Sequence, residues 1–382
     1  MNGWLDRIPR LTVDIGARRL PAFRSLGIVG FQLGVTSMVL VALVGGLPLV
    51  TALGMSAVAG LSFFGWGLLR RAITGSETLV LIEYVWVALG LVVAYLWASG
   101  GPIVAGLDAM AVALCWFLAF GRLGCATVGC CHGVPAAVGL RYGPEHGLAP
   151  RLTDRRLLPV QLIEAAGLVG IGVIGVLLVA AGGPAGRATV WFLVGYALLR
   201  FGCEALRGDE RPVRLGVPVA RVMCLVQAAA GVVAAEAWLV PGAPGRSTAV
   251  GAGALVVALV AGTGLTLARG HDPLADAAHL DETWHTIWSL ADDIVPGHPV
   301  VASTTRGMHV AVSPGDIGLH VSLSHPELSV SGVGTALAPG SSVDHRGITH
   351  FPLPSPMPAP EPTLRTEVDL VPSTGYFERA TG

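Results

Sequence analysis

The chain contains no lysine: all 24 of its basic residues are arginine. Charge of either sign is scarce, at 13% of 382 residues against 53% hydrophobic. With a mean hydropathy of +0.67, that poverty of charge excludes an ordinary water-soluble globular domain and indicates a membrane protein. Six cysteines in a chain this long, all between Cys115 and Cys224, exclude a small disulfide-stapled fold. No short apolar run with a small-residue cleavage site opens the chain, so no cleaved signal peptide is expected. Internal repeats and nucleic-acid motifs are absent.

What is present divides into two physical objects. Residues 1–269 carry 20 arginines and 12 acidic residues, and residues 270–382 carry 4 and 13, so the net charge of -1 conceals a basic body and an acidic tail. A membrane-spanning helix needs about 20 mostly apolar residues. Eight segments of the body qualify, near 25–46, 48–69, 78–98, 103–121, 158–181, 187–206, 217–240 and 247–268. The expected fold is therefore an all-α polytopic membrane protein of about eight transmembrane helices. A basic N-terminal segment (1–24) precedes a transmembrane domain (25–269) that includes a polar extramembrane cap (134–157). Small residues around Gly54, Gly60, Gly65 and Gly67 suit close helix packing in lipid. Arginines crowd the ends at 1–24, 70–71, 122–156 and 207–214, which on the positive-inside rule would face the cytoplasm.

The tail reads as a small soluble α+β segment (270–337) followed by a Pro-rich disordered stretch (338–382). Residues 276–293 suit an amphipathic helix with Leu280, Trp284, Ile287, Trp288 and Leu290 on one face. Residues 300–312 and 317–323 alternate like two strands around Ser313-Pro314-Gly315-Asp316. Nine of the eleven histidines lie at or after His271 without metal-like spacing, so they are expected on solvated surface.

Three polar islands interrupt the apolar body. The first is GRLGCATVGCCHG, Gly121 to Gly133, which ends the fourth span with Arg122, Cys125, Cys130, Cys131 and His132. Arginine in hydrocarbon costs at least about 2.5–3.5 kcal/mol, so it needs a reason. Arg122 fits either a phosphate-binding guanidinium, flanked by Gly124 so that backbone can approach, or an arginine snorkelling to headgroups. The cysteines fit helix packing, a redox pair, metal ligands or a reacting thiol. The spacing C-x4-C-C-H matches no standard zinc pattern, and adjacent cysteines do not easily face one ion, so no metal is assigned. In the second island Gln161 and Glu164 sit one turn apart just after Pro159, as helix-start residues or as partners of a headgroup or an arginine. In the third, Tyr196, Arg200, Glu204 and Arg207 share one helical face. They suit a structural Arg–Glu pair or an anion pocket, for which a guanidinium offers a permanently charged fork. Glu83 and Tyr84 form a weaker candidate pair.

These islands resemble the motifs of the bacterial prolipoprotein diacylglyceryl transferases. The family signature G-R-[IL]-G-N-F-x-N-G-E-x-W-G is matched by Gly121, Arg122, Leu123, Gly124, Gly129 and Gly133. The element H-P-S-Q-L-Y-E is matched by Pro159, Gln161, Leu162 and Glu164, and G-Y-x-x-x-R-x-x-x-E-x-x-R by Gly195, Tyr196, Arg200, Glu204 and Arg207. The resemblance covers about 24–240. The chain departs from the family at Cys125, where the family has Asn, and at Cys130, where it has Glu. Leu158 replaces a His, and the H-G-G element before the third span is missing.

The resemblance implies transfer of a diacylglyceryl group from phosphatidylglycerol to a prolipoprotein signal-peptide cysteine in the bacterial cytoplasmic (inner) membrane, without a cofactor. Arg122 and Arg200 would then bind phosphate and Glu204 would orient Arg200. Tyr196, Gln161, Glu164, Arg207, Gly124 and Gly133 would form the substrate site, facing outward. His132, Glu83 or Tyr84 would stand in for the missing base. Two other classes fit the same residues: a thiol-redox or metal-handling membrane protein using Cys125, Cys130, Cys131 and His132, and a non-catalytic lipid-binding scaffold.

Overall fold

The computed structural model describes residues 2–16, 18–74, 81–209, 213–214, 217–239, 274–294, 299–314, 318–338, 341–344 and 346–353. After a short helix α1 (Asn2–Leu5) and a hairpin of β1 (Thr12–Ile15) and β2 (Arg18–Pro21), seven helices occupy the first seven expected spans. They are α2 (Ala22–Val44), α3 (Leu49–Thr74), α4 (Leu81–Ala98), α5 (Ile103–Val128), α6 (Val160–Ala180), α7 (Arg187–Glu204) and α8 (Val219–Leu239). Five of them, α2, α3, α5, α6 and α8, are long and apolar enough to cross a membrane, while α4 offers a shorter apolar stretch, Glu83–Ala98. The chain is thus a mainly helical, multi-pass membrane protein. The expected eighth span, 247–268, lies outside the described residues.

The spans hold together as lipid-embedded helices do, through small residues that let backbones approach. Helix α5 is central, packing on α2, α6 and α7. Gly30 and Gly34 of α2 face it closely: a β-carbon at Gly30 would meet Phe120 Cβ at 2.5 Å, and one at Gly34 would meet the Ala113 carbonyl oxygen at 3.1 Å. Of the small residues noted around α3, Gly54 packs against the Tyr95 ring and Gly67 against Tyr84, but Gly65 meets nothing. Large apolar side chains such as Leu61, Phe64, Leu68 and Ile73 point outward, the condition expected of a lipid-facing surface.

One buried carboxylate sets the position of α7. Asp108, on α5, accepts hydrogen bonds from Gly186 N (2.6 Å), Thr189 N (2.7 Å) and Thr189 Oγ1 (2.8 Å). It therefore satisfies amide groups at the start of α7 that have no partner within the helix, and its charge suits that end of the helix dipole. Sequence reasoning passed over this residue, a lone acid in an apolar run.

The polar cap, 134–157, forms regular structure. Strands β3 (Pro135–Arg141) and β4 (Arg156–Leu157) pair antiparallel, and two single-turn helices, Pro144–His146 and Pro150–Leu152, lie between them. Leu140, Tyr142, Leu152 and Leu157 close over Leu5 and Ala126, and Arg156 grips Asp6 through both carboxylate oxygens at 2.8 and 3.1 Å.

The C-terminal part, residues 274–353, is an α+β unit. Helix α9 (Ala277–Asp292) starts at Asp276, whose side chain accepts from His279 N at 3.0 Å. It packs Leu280, Ile287 and Leu290, with Trp284 and Trp288 at the margin, onto an antiparallel sheet. After the two-residue strands β5 (Val213–Arg214) and β6 (Val217–Pro218) that precede α8, the strands of this sheet are β7 (Val300–Ser303), β8 (His309–Pro314), β9 (Leu319–Ser324), β10 (Ser342–Val343) and β11 (Thr349–Leu353), and helix α10 (Ser331–Leu337) intervenes. Their order is β10-β11-β9-β8-β7. Three expectations change here. The run 300–312 is two strands, because the chain turns at Thr304 to Gly307. The sheet continues past Ala338 to Leu353, because Phe351 and Leu353 alternate inward onto the same core; residues 354–382 lie outside the described set. His279 is buried rather than solvated, bonded to Leu274 O (2.7 Å) and Thr304 Oγ1 (2.8 Å).

This unit rests on the cap. The buried Arg151 Nε meets Asp281 Oδ1 at 2.7 Å, and Arg155 Nη1 donates to the Ala336 and Leu337 carbonyls. Cap, N-terminal segment and α+β unit therefore lie at one end of the bundle.

The fold predicts that Asp108→Ala destabilises the detergent-solubilised protein by roughly 1–3 kcal/mol, the penalty for leaving buried donors without a partner. Asp108→Asn, which keeps one acceptor oxygen, should lose less. Thermal unfolding of the two variants beside the parent measures the difference.

Candidate functional site

The three islands converge at the cap end of α5, α6 and α7, and backbone joins them. Gly133 N donates to Leu158 O (3.1 Å), Leu158 N to Val134 O (2.9 Å), Val134 N to Leu206 O (3.1 Å) and Gly208 N to His132 O (3.0 Å). The approach needs glycine at Gly133, where a β-carbon would lie 2.5 Å from the Leu158 oxygen and 2.7 Å from Val160 Cγ2. Gly124 is close to Phe23, at 3.0 Å from such a carbon, so it serves packing on α2.

The centre is Glu164. Its side chain is fully buried in the first turns of α6. Arg122 Nε from α5 reaches Oε2 at 2.9 Å, and Arg200 Nη1 from α7 reaches Oε1 at 3.1 Å and Oε2 at 2.9 Å. Tyr196 OH donates to Oε1 at 3.1 Å. The face shared by Tyr196 and Arg200 is thus turned onto α6. Glu204, expected to orient Arg200, is the lesser partner, with Oε2 at 3.5 Å from Nη2. The main carboxylate comes from the neighbouring helix. A pairing between helices is invisible to spacing along one helix.

The other expected residues take separate places. Gln161 holds the signature loop: Nε2 donates to Cys130 O at 2.9 Å, and the Tyr142 hydroxyl is 3.5 Å away and donates onward to Ala126 O at 3.0 Å. Its buried Oε1 has no protein partner among the described residues. Arg207 is bound through Nε and Nη2 to Asp209 at 2.8 and 2.9 Å, a carboxylate that sequence reasoning missed. The D-x-R spacing in reverse, Arg207 and Asp209 two residues apart beyond the helix end, was the available signal.

His132 is buried, with Nδ1 3.0 Å from Gly133 O, in the electrostatic surroundings of Asp209, Arg151 and Arg207. Burial holds its imidazole below the ordinary histidine value, so it is neutral at neutral pH. It stands beside the Arg207–Asp209 pair. Glu83 is paired with Arg70 at 3.1 Å, and Tyr84 packs on Phe63 with ring centroids 5.0 Å apart.

The thiols separate into two sets. Cys115, Cys203 and Cys224 are buried packing residues. Cys125, Cys130 and Cys131 gather with their sulfur atoms all within 4.8 Å of one another. Adjacent Cys130 and Cys131 thus both bring their sulfur atoms near that of Cys125. Cys131 adopts a left-handed backbone, φ 59°, after the left-handed turn of Gly129, φ 86°, and this bends the chain back toward α5. Hydrogen bonds from the Cys125 and Cys130 thiols, against the penalty of burial and with Arg207 and Arg122 nearby, hold Cys131 well below the usual thiol range. The same contacts push Cys130 up.

Chemically, the arrangement offers two arginines from different helices, oriented by one carboxylate, at the cap end of α5, α6 and α7. Breaking a buried pair by removing one partner leaves an uncompensated charge and costs about 3–5 kcal/mol. Glu164→Gln is expected to lower stability by this order, and Glu204→Gln by clearly less. Thermal unfolding in detergent checks the ranking; equal effects would contradict Glu164 as the centre.

No curated protein matches this chain. The family model described as prolipoprotein diacylglyceryl transferase matches residues 86–236, from within α4 to within α8, and so takes in all three islands. The helices that build the Glu164 site therefore lie within the stretch that matches the prolipoprotein diacylglyceryl transferase family model.

Proposed function

We propose that the protein transfers a diacylglyceryl group from phosphatidylglycerol to the cysteine thiol of a prolipoprotein signal peptide, in the cytoplasmic membrane of a bacterium. The observation that carries this reading is the pair Arg122 and Arg200, brought together from two helices on the buried Glu164. Their side chains keep 17% and 14% of their exposure, enough for a ligand to reach guanidinium groups that are already oriented.

In the reaction, the acceptor sulfur forms a bond to the glyceryl carbon that bears the phosphate. The carbon–oxygen bond breaks, its electron pair leaves on glycerol phosphate, and the thiol proton passes to solvent or to a base. The phosphate goes from one negative charge toward two. Donors fixed where that charge develops favour the transition state over the bound lipid. Arg122 and Arg200 supply those donors on this reading, and Tyr196 and Glu164 keep them aimed. Low surrounding dielectric strengthens the effect. The acyl chains have an apolar crevice available between α2, α3, α4 and α5, lined by Phe31, Met38, Phe63, Tyr84 and Phe117.

The test is transfer in vesicles containing phosphatidylglycerol, with a peptide carrying a signal-peptide cysteine, read as the mass gain of one diacylglyceryl group. Arg122→Ala and Arg200→Ala are each expected to reduce the rate by about 10²–10³, the loss for one transition-state donor. Arg200→Lys should not restore it, because an ammonium cannot reproduce the two-pronged contact. No mass gain from a well-inserted parent protein, with failure to rescue cells depleted of their own transferase, would reject the reaction.

A further inference from the structure

The three clustered thiols have no part in the phosphate chemistry above, and their geometry is not that of packing. Cys125 sits in the last turn of α5, and Gly129 and Cys131 both take left-handed backbone to return the chain over it. A residue with a β-carbon seldom adopts that conformation, and it persists only where the surroundings impose it. Here the Gln161 amide holds the Cys130 carbonyl at 2.9 Å, and the carbonyl of His132 is held by Gly208 N. The loop is thus fixed on both sides of the cysteines. The result is three sulfur atoms within 4.8 Å of one another. Zinc–thiolate bonds of about 2.3 Å in tetrahedral geometry place sulfurs roughly 3.8 Å apart, so a contraction of about 1 Å completes the set. Cys130 is exposed, which gives an ion a route in. Three thiolates around a divalent ion leave one negative charge, and Arg207 and Arg122 are the cations beside Cys131.

We propose that Cys125, Cys130 and Cys131 form a three-thiolate site for zinc, with the fourth coordination position open. His132 is outside the group, its Nδ1 turned to its neighbour's carbonyl. Three protein ligands and one open position are the pattern of a reactive rather than a structural zinc. If the transferase reading above holds, the open position takes the acceptor thiol. Coordination releases the thiol proton to solvent, and the zinc-bound sulfur forms the carbon–sulfur bond as the carbon–oxygen bond to phosphate breaks. That supplies the activation for which no histidine stands at the Glu164 centre.

Full-length protein, purified in detergent under reducing, oxygen-free conditions and freed of metal, would be titrated with zinc alone. The expected result is one zinc per chain, with three protein sulfurs at about 2.3 Å by X-ray absorption. Cys130→Ser should weaken zinc binding beyond the roughly 10–100-fold typical of an outer-shell partner. Cys115→Ala, a packing cysteine, should bind as the parent does. Less than stoichiometric zinc in the parent, fewer than three sulfurs, or parent-like binding by Cys130→Ser would overturn the site. Arg200→Ala should bind zinc normally while losing transfer, which separates the two centres. Stoichiometric zinc with transfer that a chelator leaves unchanged would overturn the thiol-activating role. Stoichiometric zinc with no transfer at all would overturn the transferase reading and uphold the site.

Discussion

The domain depends on one carboxylate in the wrong solvent. Glu164 is fully buried at the head of a helix whose remaining residues are almost all apolar, and it would be expelled if it were alone. Arg122 and Arg200 would be no better placed. Together they make a compact arrangement of charge that ties α5, α6 and α7 at one level, with Tyr196 filling a further lone pair. Each group makes the others tolerable, and none packs usefully without them. Glu164 thereby fixes the relative height and rotation of three helices at their cap end, as Asp108 ties α7 to α5 at the other.

The backbone connections around Gly133 extend that order into the cap. They join the end of the signature to Leu158, just before α6, and to Leu206 and Gly208, just after α7. The arginine-rich cap follows from this architecture. Arg156 holds Asp6, Arg151 holds Asp281 and Arg207 holds Asp209. Much of the positive charge at this end of the bundle is therefore consumed in holding parts together. Counting it as a signal of membrane orientation treats structural charge as if it were free.

The apolar helices were legible in sequence because length and hydropathy are properties of contiguous residues. The three polar islands were legible because each contradicts its surroundings. Partnership was not. Tyr196, Arg200 and Glu204 announce a common face, but only packing reveals that Arg200 turns to Glu164, 36 residues earlier. Asp108 was silent for the same reason, since its partners lie 78 and 81 residues away. The thiol cluster depends on a left-handed residue at Cys131, which tertiary contacts impose against local preference. In the tail, the prolines of 352–362 suggested disorder from Ala338 onward. Yet β10 covers only Thr349 and His350, so β11 has an open side at Pro352, where a missing amide hydrogen is tolerated.

The contact between Arg151 and Asp281 also bears on the path of the chain. Helix α8 ends beside Gly186, which Trp238 covers at the far end of the bundle, whereas α9 begins against the cap. The two described ends of the interval 240–273 are therefore on opposite faces. The α+β unit thus lies at the same end of the bundle as the N-terminal segment and the Glu164 site. A reporter fused ahead of the N-terminal segment would therefore assign the side of the α+β unit and of the Glu164 site as well.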